Sequence, residues 1–309
     1  MHIHVLGSAA GGGYPQWNCN HENSRQARRG DPSSLQRTQS SIAVTSDEER
    51  WFLFNASPDL RNQILETPAL HPKYGLRQSP IQGAVLTNAD VDHIAGLLTL
   101  RESQPLHIYA TENVLQALAR NGIFDVLNAD FVKRIPLVLN QPNPLMGPDD
   151  SDARIVVIPF SVPGKVALWL EKENGEIQTA NVNEDTIGIQ ICEADGTTKA
   201  YYIPGCASIP KWLAARLKES PLVLFDGTLW VDDEMIRSGI STKTGKRMGH
   251  ISVSGDDGTM AAFSSLNVKR KIFIHINTTN PILRTNSHER KEVEKAGWEV
   301  AYDGQEIRL

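Results

Sequence analysis

The stretch Thr87-Asn-Ala-Asp-Val-Asp-His-Ile-Ala-Gly96 decides the fold. It closes an apolar run, Ile81 to Thr87, that reads as a strand, and it opens an apolar segment, Ile94 to Arg101, that reads as a helix. Asp90, Asp92 and His93 therefore stand at a strand end, in front of a helix. Two readings are open for them. A carboxylate in this place can cap the helix by accepting its first free amides. Carboxylates grouped with an imidazole can instead hold a metal ion, which offsets their mutual repulsion.

Working outward, the same feature recurs. Asp226 follows the apolar strand Leu222 to Phe225, and His275 lies in the strand Ile272 to Ile276. His250 sits in Gly249-His-Ile-Ser-Val-Ser-Gly255. Each has a plain alternative: His275 as a hydrogen-bonded core residue, Asp226 before Gly227 as a turn residue. Their joint order along the chain is the informative signal. Strands alternate with helices, as in Leu106 to Ala110 followed by Thr111 to Arg120 with Thr111 as N-cap, and Pro210 to Glu219 leading into Leu222. That is the pattern of layered α/β proteins, whose strand ends converge on one edge where ligands bind.

Further strands are expected over Met1 to Leu6, Ser40 to Thr45, Trp51 to Asn55, Ile155 to Val162, Ile187 to Glu193 and Lys199 to Ile203. In the first of these, His2 and His4 share one face, Ile3 and Val5 the other. Helices are expected over Pro58 to Leu65 and Ser287 to Ala296, the latter followed by two short strands joined by an Asp303-Gly304 hairpin turn. Residues 14–38 and 140–153 read as loops. No repeat or linker interrupts the chain, so a single domain over 1–309 is expected.

The composition is that of a globular chain: 309 residues, 40% hydrophobic, 22% charged, formal net charge −5. The mild acidity argues against a nucleic-acid partner. No segment is apolar enough for a membrane span, and Met1 to Gly13 lacks the features of a signal peptide. Cys19, Cys192 and Cys206 do not form a disulfide framework, which points to a reducing cytoplasm. The glycines at Gly7 and Gly11 to Gly13 lack the spacing of a dinucleotide or phosphate loop.

The order of these strings carries a resemblance. Thr87 to Gly96 resembles the Thr/Ser-His-x-His-x-Asp-His-x-x-Gly motif of the metallo-β-lactamase superfamily. Leu53-Phe-Asn-Ala-Ser-Pro-Asp59 resembles its earlier strand-plus-acid motif, Tyr202-Ile-Pro-Gly-Cys206 stands at its Gly-Asp motif, and Ile272-Phe-Ile-His275 resembles its last histidine strand. More narrowly, Pro15-Gln-Trp-Asn-Cys19, Phe225-Asp-Gly-Thr-Leu-Trp230 and His275-Ile-Asn-Thr-Thr-Asn-Pro281 look like the coenzyme PQQ synthesis protein B family. The resemblance implies an α/β fold, a metallo-β-lactamase-like four-layer αβ/βα sandwich of two mixed sheets with helices outside and a metal at one edge.

The departures from the superfamily pattern are specific. Its first two motif histidines are Asn88 and Asp90 here, Ser161-Val-Pro-Gly-Lys165 stands where another histidine is expected, and Cys206 replaces the bridging aspartate. One position of the usual dinuclear pair has lost its imidazoles, while the other keeps Asp92, His93 and His275. Two histidines and a carboxylate with open positions is the ligand set of non-haem Fe(II) oxygenases. The resemblance thus implies Fe(II)- and O2-dependent hydroxylation of the tyrosine ring of a Glu–Tyr-derived intermediate in pyrroloquinoline quinone (PQQ) biosynthesis. Zinc or another divalent metal, a zinc-dependent hydrolase, and a carrier for PQQ or its precursor are the alternatives. Asp90, Asp226 and His250 are expected beside the metal, orienting its ligands or moving a proton. Relatives carry a Cys-x-Cys-x-x-Cys stretch where this chain has Cys19-Asn-His21, leaving Cys19 and His21 as two candidate structural-zinc ligands or an ordered loop held by asparagines and Trp17. The expected partners are the precursor, O2, a second copy in a homodimer and other proteins of the pathway.

Overall fold

The computed structural model describes residues 1–165 and 184–309. Among them, two seven-stranded sheets face each other. The first is built from β1 (His2–Gly7), β2 (Ser41–Thr45), β3 (Trp51–Phe54), β4 (Ile81–Val85), β5 (Leu106–Ala110) and β6 (Val132–Pro136). The second holds β7 (Asn143–Met146), β8 (Asp152–Ser161), β9 (Ile187–Glu193), β10 (Lys199–Ile203), β11 (Leu222–Asp226), β12 (Arg270–Ile274) and β13 (Trp298–Val300). A last strand, β14 (Glu306–Arg308), returns to the first sheet beside β1, giving the order β14-β1-β2-β3-β4-β5-β6. Both sheets are mixed. Antiparallel pairing at one end of each gives way to parallel pairing over β3–β6 and β10–β13.

Three apolar layers hold this arrangement together. Between the sheets lie Ile3, Val5, Phe54, Val85, Ile155, Tyr202 and Ile272, all buried. Outside the first sheet, Leu60, Ile94, Val114 and Leu118 from helical segments pack on Trp51, Leu53 and Ile108. Outside the second, Leu213, Leu217, Phe263 and Val293 pack on Val223, Phe225 and Phe273. Three clusters between four layers is the αβ/βα sandwich expected from the sequence. The alternation in β1 follows it: Ile3 and Val5 point inward, leaving His2 and His4 on the other face.

The N-caps read from sequence are present. Thr111 Oγ1 accepts from the amide of Val114, and Ser287 Oγ from that of Arg290. Four expectations change. Residues 14–38 contain a helix, Glu22–Arg28, capped by His21 Nδ1 accepting from the amide of Asn23 and supported by the Glu22–Arg25 ion pair. Trp17 does not hold that loop, since it is 85% exposed. Arg28 does, donating to the carbonyls of Gln16 and Cys19 at 2.5 and 2.6 Å. Residues 140–153 contain the edge strand β7, where Pro144 is tolerated because an edge leaves one side of the ladder unpaired. Finally, Asp303-Gly304 is not a hairpin turn. It lies between β13 and β14, which belong to different sheets, and Asp303 is fixed by Ser8 Oγ and by the amide and hydroxyl of Thr38.

The segment Ile94 to Arg101 is also tighter than expected, a single α-turn, Val91–Ile94, running into the 3-10 helix Ala95–Leu100. Gly96 explains the close approach. A Cβ there would lie 2.1 Å from the carbonyl oxygen of Ser57.

Candidate metal centre

The carboxyl ends of β4, β11 and β12 lead to Asp90–His93, Asp226–Thr228 and His275 respectively. A fourth segment, the turn after β1, completes the edge. Asp59 Oδ2 accepts from the amide and side chain of Gln39, whose Oε1 accepts from the amide of Gly12. This chain of bonds brings Gly11 against the acid of Asp92, where an added Cβ would stand 3.3 Å from Oδ2.

Asp92, His93 and His275 converge: one ligand atom from each lies within 4.8 Å of the others. Asp92 Oδ2 is 3.1 Å from His275 Nε2 and 3.8 Å from His93 Nε2. Donors about 2.0–2.1 Å from a tetrahedral ion stand roughly 3.3 Å apart, so these separations bracket a coordination edge. The side chain of Asp90 makes no capping bond to the short helix it precedes. Its Oδ1 lies 4.0 Å from Lys165 Nζ.

Hydrogen bonds fix the ring nitrogens. Asn88 Oδ1 accepts from the backbone amide of Asp90 at 2.9 Å and meets His93 Nδ1 at 2.7 Å. The amide can only donate, so the atom facing both is oxygen, and Nδ1 carries the proton. His93 Nε2 is then left with a lone pair, and this buried atom has no hydrogen-bond partner. An orphaned acceptor aimed at a carboxylate and a second imidazole fits a metal ion. Thr228 does the same for His275. Its single hydroxyl proton goes to Asp226 Oδ1 at 2.6 Å, with the carbonyl of His275 2.9 Å away. Towards His275 Nδ1, 2.9 Å away, it is therefore an acceptor. His275 itself takes a left-handed φ of 59°, a strained conformation held by the surrounding bonds.

Electrostatics follow this geometry. Burial alone would raise the carboxyl of Asp92, but His93 and His275 overcome it and hold the group well below the usual range. Burial lowers His93 below the ordinary imidazole value. Burial also works to lower His275, yet its bond to Asp92 and the charge there win and raise it. Asp92 and His275 share a proton, whose place an ion bound here would take.

Asp226 is fully buried and holds its surroundings in place. It accepts from the amides of Cys206 and Thr228, from the Thr228 hydroxyl and from His250 Nδ1 at 2.8 Å. His250 stacks on His275 with ring centres 5.3 Å apart and lines a cavity of about 380 Å3. Asp90, Asp92, His93, Lys165 and Lys243 line the same cavity. Burial and the neighbouring Asp226 push the Cys206 thiol far up, so it stays protonated, and it donates to the carbonyl of Ser208.

Cys19 and His21 are neighbours, Cys19 Sγ accepting from the amide of His21. Among the described residues, no group of three metal-competent side chains includes either one. Sequence reasoning passed over Thr228, Lys165 and Lys243. Only Thr228 left a signal, its place two residues after Asp226 at a strand end.

A beta-lactamase superfamily domain model matches residues 50–276. Together with the sandwich and the metal-competent edge, this defines the class of protein. A coenzyme PQQ synthesis protein B from Xanthomonas axonopodis pv. citri (strain 306) is 54% identical over the whole length of both chains. The protein of that name from Gluconacetobacter diazotrophicus is 54% identical over 98% of each. The 1.98-angstrom crystal structure of Zn(2+)-bound PqqB from Methylobacterium extorquens matches with a TM-score of 0.94 and 48% identity, covering all of both chains. The chain belongs to the coenzyme PQQ synthesis protein B family.

Proposed function

We propose that the chain acts in PQQ biosynthesis as a mononuclear metal-dependent hydroxylase, with Asp92, His93 and His275 as the protein ligands. The observation that carries this reading is the donor set. Asp92, His93 and His275 converge, and although Asp226 and His250 also approach His275, Asp226 is held by the amides of Cys206 and Thr228 and by His250 Nδ1, Asn88 orients His93, and Cys206 Sγ donates to the carbonyl of Ser208. Fe(II) held by such a set would supply O2 activation for hydroxylation of an aromatic ring. The zinc of the Methylobacterium relative supports a divalent metal here. Iron is our step beyond it, argued from ligand type.

The chain's own residues bind, orient and move protons. Lys165 and Lys243 at the cavity wall counter the carboxylates of a Glu–Tyr-derived precursor. Asn88 and Thr228 keep the ring nitrogens in the ligating tautomer. Asp226 is a positioning residue that holds His250 by Nδ1, leaving Nε2 of His250 to take or give a proton at the cavity. Asp90 orients the ammonium group of Lys165.

Oxygen-free reconstitution with Fe(II), followed by precursor and then O2, tests the reading. Stoichiometric O2 uptake with an oxygenated product supports it. Conversion without O2 uptake makes the protein a hydrolase, and tight precursor binding without turnover makes it a carrier; either result overturns the proposal.

A further inference from the structure

The face of β1 turned away from the sheet interface carries a cluster that the function above does not use. His2 and His4 alternate with Ile3, so both project to that face, and β14 places Glu306 directly opposite His4. One ligand atom from each of His2, His4 and Glu306 lies within 4.8 Å of the others. His2 is 7% and His4 8% exposed. Both ring nitrogens of His2 are buried without a hydrogen bond. They are not remote from acids: Nε2 stands 3.4 Å from Glu306 Oε2, and Nδ1 stands 3.7 Å from Glu48 Oε1. The first distance is close to the roughly 3.3 Å edge expected between two ligands of a tetrahedral ion.

We propose that His2, His4 and Glu306 form a second divalent-metal site, suited to Zn2+, that clasps strand β14 onto β1. Two histidines and a carboxylate are a ligand set of the borderline-soft divalent ions, and zinc accepts it in tetrahedral geometry with a water as fourth ligand. Arg308 bonds Glu48 and also pairs with Glu306 Oε2 at 3.9 Å, a longer contact that an ion on that oxygen would replace. This site is independent of the Asp92 centre. It lies on β1 before the turn that carries Gly11, and it shares no residue with that centre.

The test is Zn2+ titration of the full chain by calorimetry, with Glu306→Gln, His2→Gln/His4→Gln and His93→Ala as comparisons. Glu306 is exposed, so Glu306→Gln leaves the fold unaffected. Two classes of site are expected in the unaltered chain. Glu306→Gln and the double histidine variant should weaken one class at least tenfold and keep the other, while His93→Ala does the reverse. Zn2+ should also slow hydrogen exchange at the amides of β14 in the unaltered chain and not in Glu306→Gln. Equal zinc stoichiometry and equal exchange in the unaltered chain and Glu306→Gln would overturn the proposal.

Discussion

His93 Nδ1 lies 2.7 Å from Oδ1 of Asn88, a residue standing where the superfamily motif has a histidine. A position that carries a histidine in that motif here orients the ring of a proposed ligand. Asn88→Ala should keep the fold and weaken metal binding by about 10–100-fold, the usual effect of losing a group that orients a metal-bound histidine. Metal affinity measured by chelator competition checks this. Unchanged affinity would show that His93 keeps its tautomer without Asn88.

His93→Ala and His275→Ala should each cost one equivalent of metal, read by metal analysis after oxygen-free loading. The zinc class assigned to His2, His4 and Glu306 should survive in both. A variant that keeps every equivalent would remove that histidine from the ligand set.

His250→Gln should load metal to the same stoichiometry but turn over roughly 10²–10⁴-fold more slowly, with the pH profile of turnover altered, as befits loss of a proton-moving group. Asp226→Asn should move the same profile while leaving precursor binding intact, because Asp226 holds His250 and Thr228 by hydrogen bonds. If the profile of either variant matches the unaltered protein, the proton path does not run through His250.

How much of this was legible in sequence depends on how local the cause is. The strands Ile187–Glu193, Lys199–Ile203 and Leu106–Ala110 are continuous apolar or alternating runs, and they lie where the pattern places them. Asp92, His93 and His275 meet because parallel strands end on one edge, which the β–α alternation already implies. Helix Glu22–Arg28 was hidden, because its cap is an imidazole and its anchor is distant: Asn23 Nδ2 donates at 3.1 Å to the carbonyls of Thr278, Thr279 and Asn280. The splitting of β13 and β14 between two sheets was hidden for the same reason. A turn at Asp303-Gly304 looks alike locally whether the next strand pairs with its neighbour or with β1.

Glu234 gives a pH test of stability. It is buried against Thr279 and the amide of Trp230, and burial pushes its carboxyl up to about 7 from 4.5. The folded state thus binds a proton at Glu234 that the unfolded state has lost between these values, so the contribution of Glu234 to stability falls as pH rises from about 4.5 to 7 and levels off above. At roughly 1.4 kcal/mol per unit, the loss is about 3 kcal/mol. Glu234→Gln should flatten this part of the profile. Urea midpoints at pH 5 and pH 8 in both proteins check it; the same pH difference in each would show that Glu234 titrates normally.

Gly96→Ala should destabilise by about 1–3 kcal/mol, since its Cβ would collide with the Ser57 carbonyl and the backbone must shift to admit it. Thermal unfolding reads the cost. A melting temperature equal to that of the unaltered chain would show that the turn after His93 has slack.

The crossing from β13 to β14 bears on how the molecule is assembled during synthesis. Asp303 locks onto Ser8 and Thr38, and β14 zips alongside β1, a strand made long before it. One flank of the first sheet must wait, bare, while nearly three hundred residues are laid down. Until then β1 offers an open ladder to any passing strand, a hazard that the late arrival of Glu306–Arg308 removes.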